Sequence, residues 1–160
     1  LVLVTQSPLH VLPASACILH NKLKLNSSCL SFDINLGCSG YVYALALCGS
    51  LIETGIARQG LIICSETYTK YIGFKDRTCR PLFSDAAAAS LIARNSEDTL
   101  GPFEMGTEGA GYNNINVRCG EDPASSKTNI FFEKKSSDVD VMGAFSFGFG
   151  STPILFGISI

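Results

Sequence analysis

Cys38 stands in the stretch Ser31-Phe32-Asp33-Ile34-Asn35-Leu36-Gly37-Cys38-Ser39-Gly40-Tyr41-Val42-Tyr43-Ala44-Leu45. An extended apolar run ends there in a Gly-Cys-Ser-Gly corner, and an apolar helix follows at once. Such a corner lifts one side chain out of a buried sheet and sets it against a helix N-terminus. The unpaired N–H groups and the dipole of that terminus favour negative charge. A thiol held there is expected to have a lowered pKa and to react as the thiolate. The same N–H groups suit the oxyanion that forms when sulfur attacks a carbonyl. Other candidate chemistry is sparse. The only histidines, His10 and His20, both precede Cys38 and are read as surface or helix-side residues. A basic cluster of Lys70, Lys75, Arg77 and Arg80 falls in a polar loop over residues 66–80. Asp85 is read as a hydrogen-bond anchor for that loop rather than a general base.

Seven cysteines are present, an odd number at scattered spacings. Cys17, Cys48 and Cys64 lie in apolar runs and are read as small core residues, as in a reducing, cytoplasmic setting. No Cys-x-x-Cys pair supports a metal site, and no bound cofactor is expected. The formal net charge of -2 gives no reason to expect nucleic acid or an anionic membrane surface. No apolar stretch reaches the roughly 18 residues of a membrane-spanning helix. With 46% hydrophobic and 16% charged residues over 160 positions, the chain reads as one well-buried domain.

The elements that must position Cys38 are legible as alternating strands and helices. Residues 1–6 read as a buried strand, and 13–23 as a helix with Pro13 in its first turn. Residues 31–36 read as the strand leading to the corner. A helix over 39–54, apolar on all faces, is expected to be central and buried, with Gly55 as its C-cap. Gly60 to Ser65 reads as a strand buried on both faces. The run of alanines from Ala86 is favoured as strand over helix, because small residues let backbone layers approach closely. Residues 101–133 read as hairpins and loops. Residues 141–160 are ambiguous between a helix and strand pieces. Strand, helix, strand and helix over the first 65 residues argue for a parallel α/β layer.

Four stretches together resemble the 3-oxoacyl-[acyl-carrier-protein] synthase III branch of the thiolase superfamily. They are Thr5-Gln6-Ser7-Pro8 through Ala16, the Cys38 segment from Phe32 to Leu45, Gly60 to Glu66, and Asp76-Arg77 with Arg80-Pro81-Leu82-Phe83-Ser84-Asp85 and the alanines that follow. The resemblance implies an α/β fold of thiolase-like αβαβα layers. One incomplete half of it is present, as a single partial domain over 1–160, truncated at both ends and in uncertain register after 140. It implies a cysteine nucleophile at Cys38 that takes an acyl group from coenzyme A, then a decarboxylating Claisen condensation with malonyl-acyl carrier protein that initiates fatty acid synthesis. The two thioesters are substrates, no cofactor is bound, and the complete form is a homodimer. By the same resemblance Arg77 flanks the coenzyme A adenine, Leu82 and Phe83 line the acyl tunnel, and Leu12 reaches the partner subunit's tunnel. Met142 sits in a Met-x-Gly-like turn, one residue short. The family's catalytic His and Asn belong to its second half, and neither histidine of this chain matches them.

Ser84 stands where the family has Gly, and Ala86 and Ala88 replace glycines. Phe145-Ser146-Phe147-Gly148-Phe149-Gly150 matches either the family's next helix, the preferred reading, or its Gly-Phe-Gly-x-Gly closing strand, which implies an internal deletion. Two alternatives stand beside the synthase reading. One is a related condensing enzyme of secondary-metabolite or surface-lipid synthesis. The other is a catalytically incomplete piece that acts only as a pairing subunit.

Overall fold

The computed structural model describes residues 1–77, 79–94, 100–112, 115–117, 131–132, 143–149 and 152–158. Its centre is a four-stranded sheet in the order β2-β1-β3-β4. Strands β1 (Val2–Val4), β2 (Phe32–Ile34) and β3 (Gln59–Thr67) run parallel, and β4 (Asp85–Ala93) returns antiparallel along the full length of β3. Helix α1 (Ser15–Lys22) connects β1 to β2, and α2 (Gly40–Glu53) connects β2 to β3. The chain steps one way from β1 to β2 and back past β1 to β3. Because such crossovers keep one hand, the two helices must lie on opposite faces. The packing agrees. Val2 and Val4 meet Ala44, Leu45 and Cys48 of α2, whereas Leu1 and Leu3 meet Ala16 and Leu19 of α1. Alternate residues of one short strand thus serve two cores, which is why β1 reads as continuously apolar.

Pro13 precedes α1 rather than opening it, and the N-cap position is Ala14, which brings no side-chain acceptor. The cap comes from across the sheet. The Asp33 carboxylate accepts the Ser15 and Ala16 backbone N–H groups, each at 2.7 Å, and its charge faces the positive end of the helix. Asp33→Ala leaves both donors unpaired and removes that charge. Chemical denaturation should show a loss of about 0.5–2 kcal/mol, the usual worth of an N-cap. Cys17 is exposed rather than core. α1 turns Ser15, Ala16 and Leu19 toward the sheet, and the next position after Ala16 points to the opposite side of the helix.

α2 spans the expected residues, and Gly55 follows its C-cap in the left-handed region, φ 76°, where glycine is at ease. The helix is buried on one side only. Val42, Ala44, Leu45, Cys48 and Ile52 face the sheet, but Tyr41 and Leu47 are exposed. An open groove of about 450 Å³, lined by Ile34, Tyr43, Ala46, Leu47, Ser50 and Met105, runs along its outer side. The expectation of an all-round burial is therefore corrected: a single sheet covers a single stripe. The alanine run forms β4, as expected, yet Ala86 to Ala89 are exposed, so no second layer of the described residues lies against them.

Beyond the sheet, the short strands β5 (Ile115–Asn116) and β6 (Phe131–Phe132) pair antiparallel, as do β7 (Gly143–Phe149) and β8 (Thr152–Ile158). The last pair overturns the helix preferred for Phe145 to Gly150 over its described residues, Phe145 to Phe149. Alternating Phe-x-Phe-Gly-Phe has the two-residue period of a strand and glycines that a helix tolerates poorly. Among the described residues no helix is long and apolar enough to cross a membrane.

Candidate active site

The three parallel strands end on one side of the sheet, and the segments that follow them converge there. β1 runs into Thr5-Gln6-Ser7, β2 into Leu36-Gly37-Cys38, and β3 into Tyr68. The carboxyl ends of parallel strands, at the point where the strand order reverses, form the natural crevice of an open α/β sheet. Cys38 lies in a turn directly before α2, closed by a hydrogen bond from the Gly40 N–H to the Gly37 carbonyl at 2.9 Å, and it is exposed.

Glu66, near the end of β3, organises the turn after β1. Its carboxylate accepts the Gln6 backbone N–H at 2.8 Å and the Ser7 hydroxyl at 2.5 Å. The Ser7 hydroxyl oxygen in turn accepts the Thr67 N–H at 2.8 Å. Lys70 donates to the Ser7 and Pro8 carbonyls at 2.9 and 3.3 Å. This ties it to the β1 turn and separates it from the other three cations. Tyr68 donates its hydroxyl to the Gln6 side-chain oxygen and leans on the Phe83 ring, centroids 5.5 Å apart. Burial first, then the electrostatic influence of Glu66, Cys38 and Tyr71, pushes the Tyr68 phenol up to about 12. It is therefore a neutral hydroxyl at ordinary pH, beside the Cys38 corner. Asp85 accepts the Thr69 N–H and hydroxyl at 2.9 and 2.6 Å, which fixes the 3-10 turn Tyr68–Tyr71. Those bonds, the hydroxyl's first, hold the Asp85 carboxyl below its usual range, in keeping with an anchor.

The remaining basic residues line a separate open cleft of about 690 Å³ formed by Phe74, Lys75, Asp76, Arg77, Arg80 and Pro81. Arg80 stacks over the Phe74 ring at 5.2 Å. Three cations against one acid give this cleft a net positive field, suited to a polyanionic ligand. Of the residues singled out in the sequence, Arg77 is thus in the cleft and Phe83 beside Tyr68. Phe83 also packs against Ile72 and Cys79. Leu82 and Leu12 are 70% and 84% exposed. Met142 lies outside the described residues. His10 is exposed, and His20 is bonded to the Asn26 carbonyl at 2.9 Å, far in sequence and role from the corner. Gln6, Glu66 and Tyr68 were not expected as site residues. Their signal was positional: each is a polar residue at the carboxyl end of a parallel strand.

The cysteines separate by environment. Cys48 is buried, and desolvation raises its pKa; Cys64 is half-buried and raised by desolvation and by Glu66. A raised thiol pKa means less thiolate at a given pH, and thiolate is the nucleophile. Under native conditions near about pH 8, iodoacetamide should label Cys38 ahead of Cys48 and Cys64. Exposed Cys17 serves as the internal reference. Peptide mass spectrometry reads the order, and equal rates at Cys38 and Cys48 would contradict the geometry.

A family model described as 3-oxoacyl-[acyl-carrier-protein] synthase III matches residues 32–109. A curated relative, the "putative 3-oxoacyl-[acyl-carrier-protein] synthase 3" of Campylobacter jejuni, is 36% identical over 120 residues, 75% of this chain and 33% of that protein. A solved 3-oxoacyl-(acyl-carrier-protein) synthase III superposes with a TM-score of 0.70 at 43% identity, over 72% of this chain and 35% of its own. The 3-oxoacyl-(acyl-carrier protein) synthase of Burkholderia xenovorans LB400 gives 0.69 at 40% identity, over 76% and 35%. The chain spans about a third of the length of the curated relative it matches. Residues 32–109 thus match the 3-oxoacyl-[acyl-carrier-protein] synthase III family model, and the chain carries a thiolase-like fold similar to the N-terminal part of these synthases.

Proposed function

We propose that the complete protein is a condensing acyltransferase in which Cys38 carries the acyl group. The thiolate attacks the carbonyl of an acyl-coenzyme A thioester. The carbon–sulfur bond to coenzyme A breaks, and coenzyme A leaves as its thiolate to take up a proton. Malonyl-acyl carrier protein then loses carbon dioxide, and its carbanion attacks the acyl-cysteine. A carbon–carbon bond forms and the Cys38 thiolate is released. Splitting one hard displacement into two easier ones is the general benefit of a covalent intermediate. The single observation that carries this reading is the exposed thiol at the carboxyl edge of the parallel strands, set at the start of α2. The cationic cleft at Lys75, Arg77 and Arg80 supports a phosphate-bearing donor, with Arg77 also able to stack on its base.

The 160 residues alone are proposed to accept an acyl group without completing the condensation, since His20 is engaged elsewhere and no other histidine but His10 is present. Intact-mass measurement after incubation with a panel of acyl-coenzyme A thioesters tests the reading. One acyl mass added, and mapped to Cys38 by peptide sequencing, is the expected result. No adduct with any member, or an adduct mapped to Cys17, refutes it.

Arg77→Ala should raise the acyl-coenzyme A concentration needed for half-maximal acylation about tenfold, because a charge-assisted contact made by an exposed side chain falls at the low end of the usual range, about 1.5 kcal/mol. The rate at saturation should hold. A fall in the saturated rate with no change in half-saturation would remove Arg77 from the donor site.

A further inference from the structure

The Tyr68–Gln6 pair sits on the corner that presents Cys38. A side-chain carbon on Gly37 would fall 2.7 Å from the Gln6 carboxamide oxygen and 3.7 Å from the Tyr68 hydroxyl. The pair thus borders the space over the residue that precedes the thiol. Gln6 is held firmly for an exposed side chain. Glu66 takes its backbone N–H, Tyr71 donates to its carbonyl at 3.4 Å, and Tyr68 donates to its side-chain oxygen. A carboxamide has one oxygen to accept and one NH2 to donate. Once a phenol that stays protonated has claimed the oxygen, the NH2 is left as a donor at the strand ends.

We propose that Gln6 is a substrate-contacting residue whose NH2 donates to the carbonyl of the acyl thioester delivered to Cys38, and that Tyr68 is the positioning residue that turns the carboxamide that way. This rests on Cys38 being the acyl acceptor. The chemistry is that of an additional donor aimed at the oxygen on which charge develops as sulfur adds.

The test compares two reactions of the same sulfur in the complete protein. One is acylation by acetyl-coenzyme A or another reactive member of the thioester panel. The other is modification by methyl methanethiosulfonate, which has no carbonyl for Gln6 to bind. Gln6→Met should slow acylation of Cys38 about tenfold or more and leave the thiosulfonate rate within about twofold of the parent. Tyr68→Phe keeps the ring but frees the carboxamide to rotate, and should slow acylation about three- to tenfold, again without touching the second reaction. Unchanged acylation in Gln6→Met overturns the proposal while leaving Cys38 as acceptor. Parallel loss of both reactions overturns it too, by showing that the pair only supports the corner. A parent protein that reacts with the thiosulfonate at Cys38 yet is acylated by no thioester overturns the acceptor assignment itself.

Discussion

Cys38→Ala should abolish the acyl adduct, a loss of about a thousandfold or more in acylation rate, the scale on which removing a covalent nucleophile acts. No other thiol among the described residues is placed to substitute. Cys48 and Cys79 are buried, Cys64 is half-buried with its ionisation disfavoured, and Cys29 lies beside Leu1 ahead of β2, at the opposite end of that strand from Cys38. Cys17 is exposed, but it sits on α1, which packs on the opposite face of the sheet from α2. The variant should otherwise fold as the parent does, because Cys38 is an exposed turn residue and alanine removes a side chain that supports nothing in the core. Intact mass with a labelled acyl-coenzyme A and a thermal melt together check this. Retained label with an unchanged melt would remove Cys38 from the chemistry and with it the proposed reaction.

How far the sequence led can be judged from particular residues. The Cys38 corner was legible because a strand, a Gly-x-x-Gly turn and an apolar helix follow one another within fifteen residues, and local order of that kind needs no tertiary information. α2 and the flanking strands were legible for the same reason. The cap on α1 was not: Asp33 lies in the next strand, and only the parallel register of β1 with β2, with Leu3 opposite Asp33, brings it under the helix. Cys17 was misjudged because an apolar run in a short helix does not say which residue faces the sheet. The closing strands were misjudged because a family register was preferred to the two-residue period of the phenylalanines themselves. Gln6, Glu66 and Tyr68 were missed because Gln6 is separated by some sixty residues from the other two and meets them only once the strand order 2-1-3 is known. Chemistry-bearing residues within one segment are visible from sequence, whereas a constellation assembled across a sheet needs the topology.

Gly40→Ala should destabilise the fold by about 1–3 kcal/mol even though alanine is the better helix former by about 1 kcal/mol. The reason is the approach of α2 to the sheet. A side-chain carbon at Gly40 would fall 2.3 Å from Val4 Cγ1 and 3.2 Å from Leu36 Cβ. Val4 is 3% exposed, lies in the central strand and is β-branched, so its methyl cannot swing aside without leaving its rotamer. The helix must move instead, and its first turn carries Cys38 with it. Gly49→Ala, nine residues along the same helix, provides the contrast. There the new carbon meets only the tip of Leu100, at 3.2 Å, and the propensity gain should leave stability within about 1 kcal/mol of the parent. The clash account makes one further demand: Val4→Ala removes the obstructing methyl, so the double variant Val4→Ala/Gly40→Ala should lose less than the two single losses added together. Denaturant titration of the four proteins decides the matter. Strict additivity would mean that the glycine is required for some reason other than the close contact between α2 and β1, and the position of Cys38 would then have to be fixed by something other than that packing.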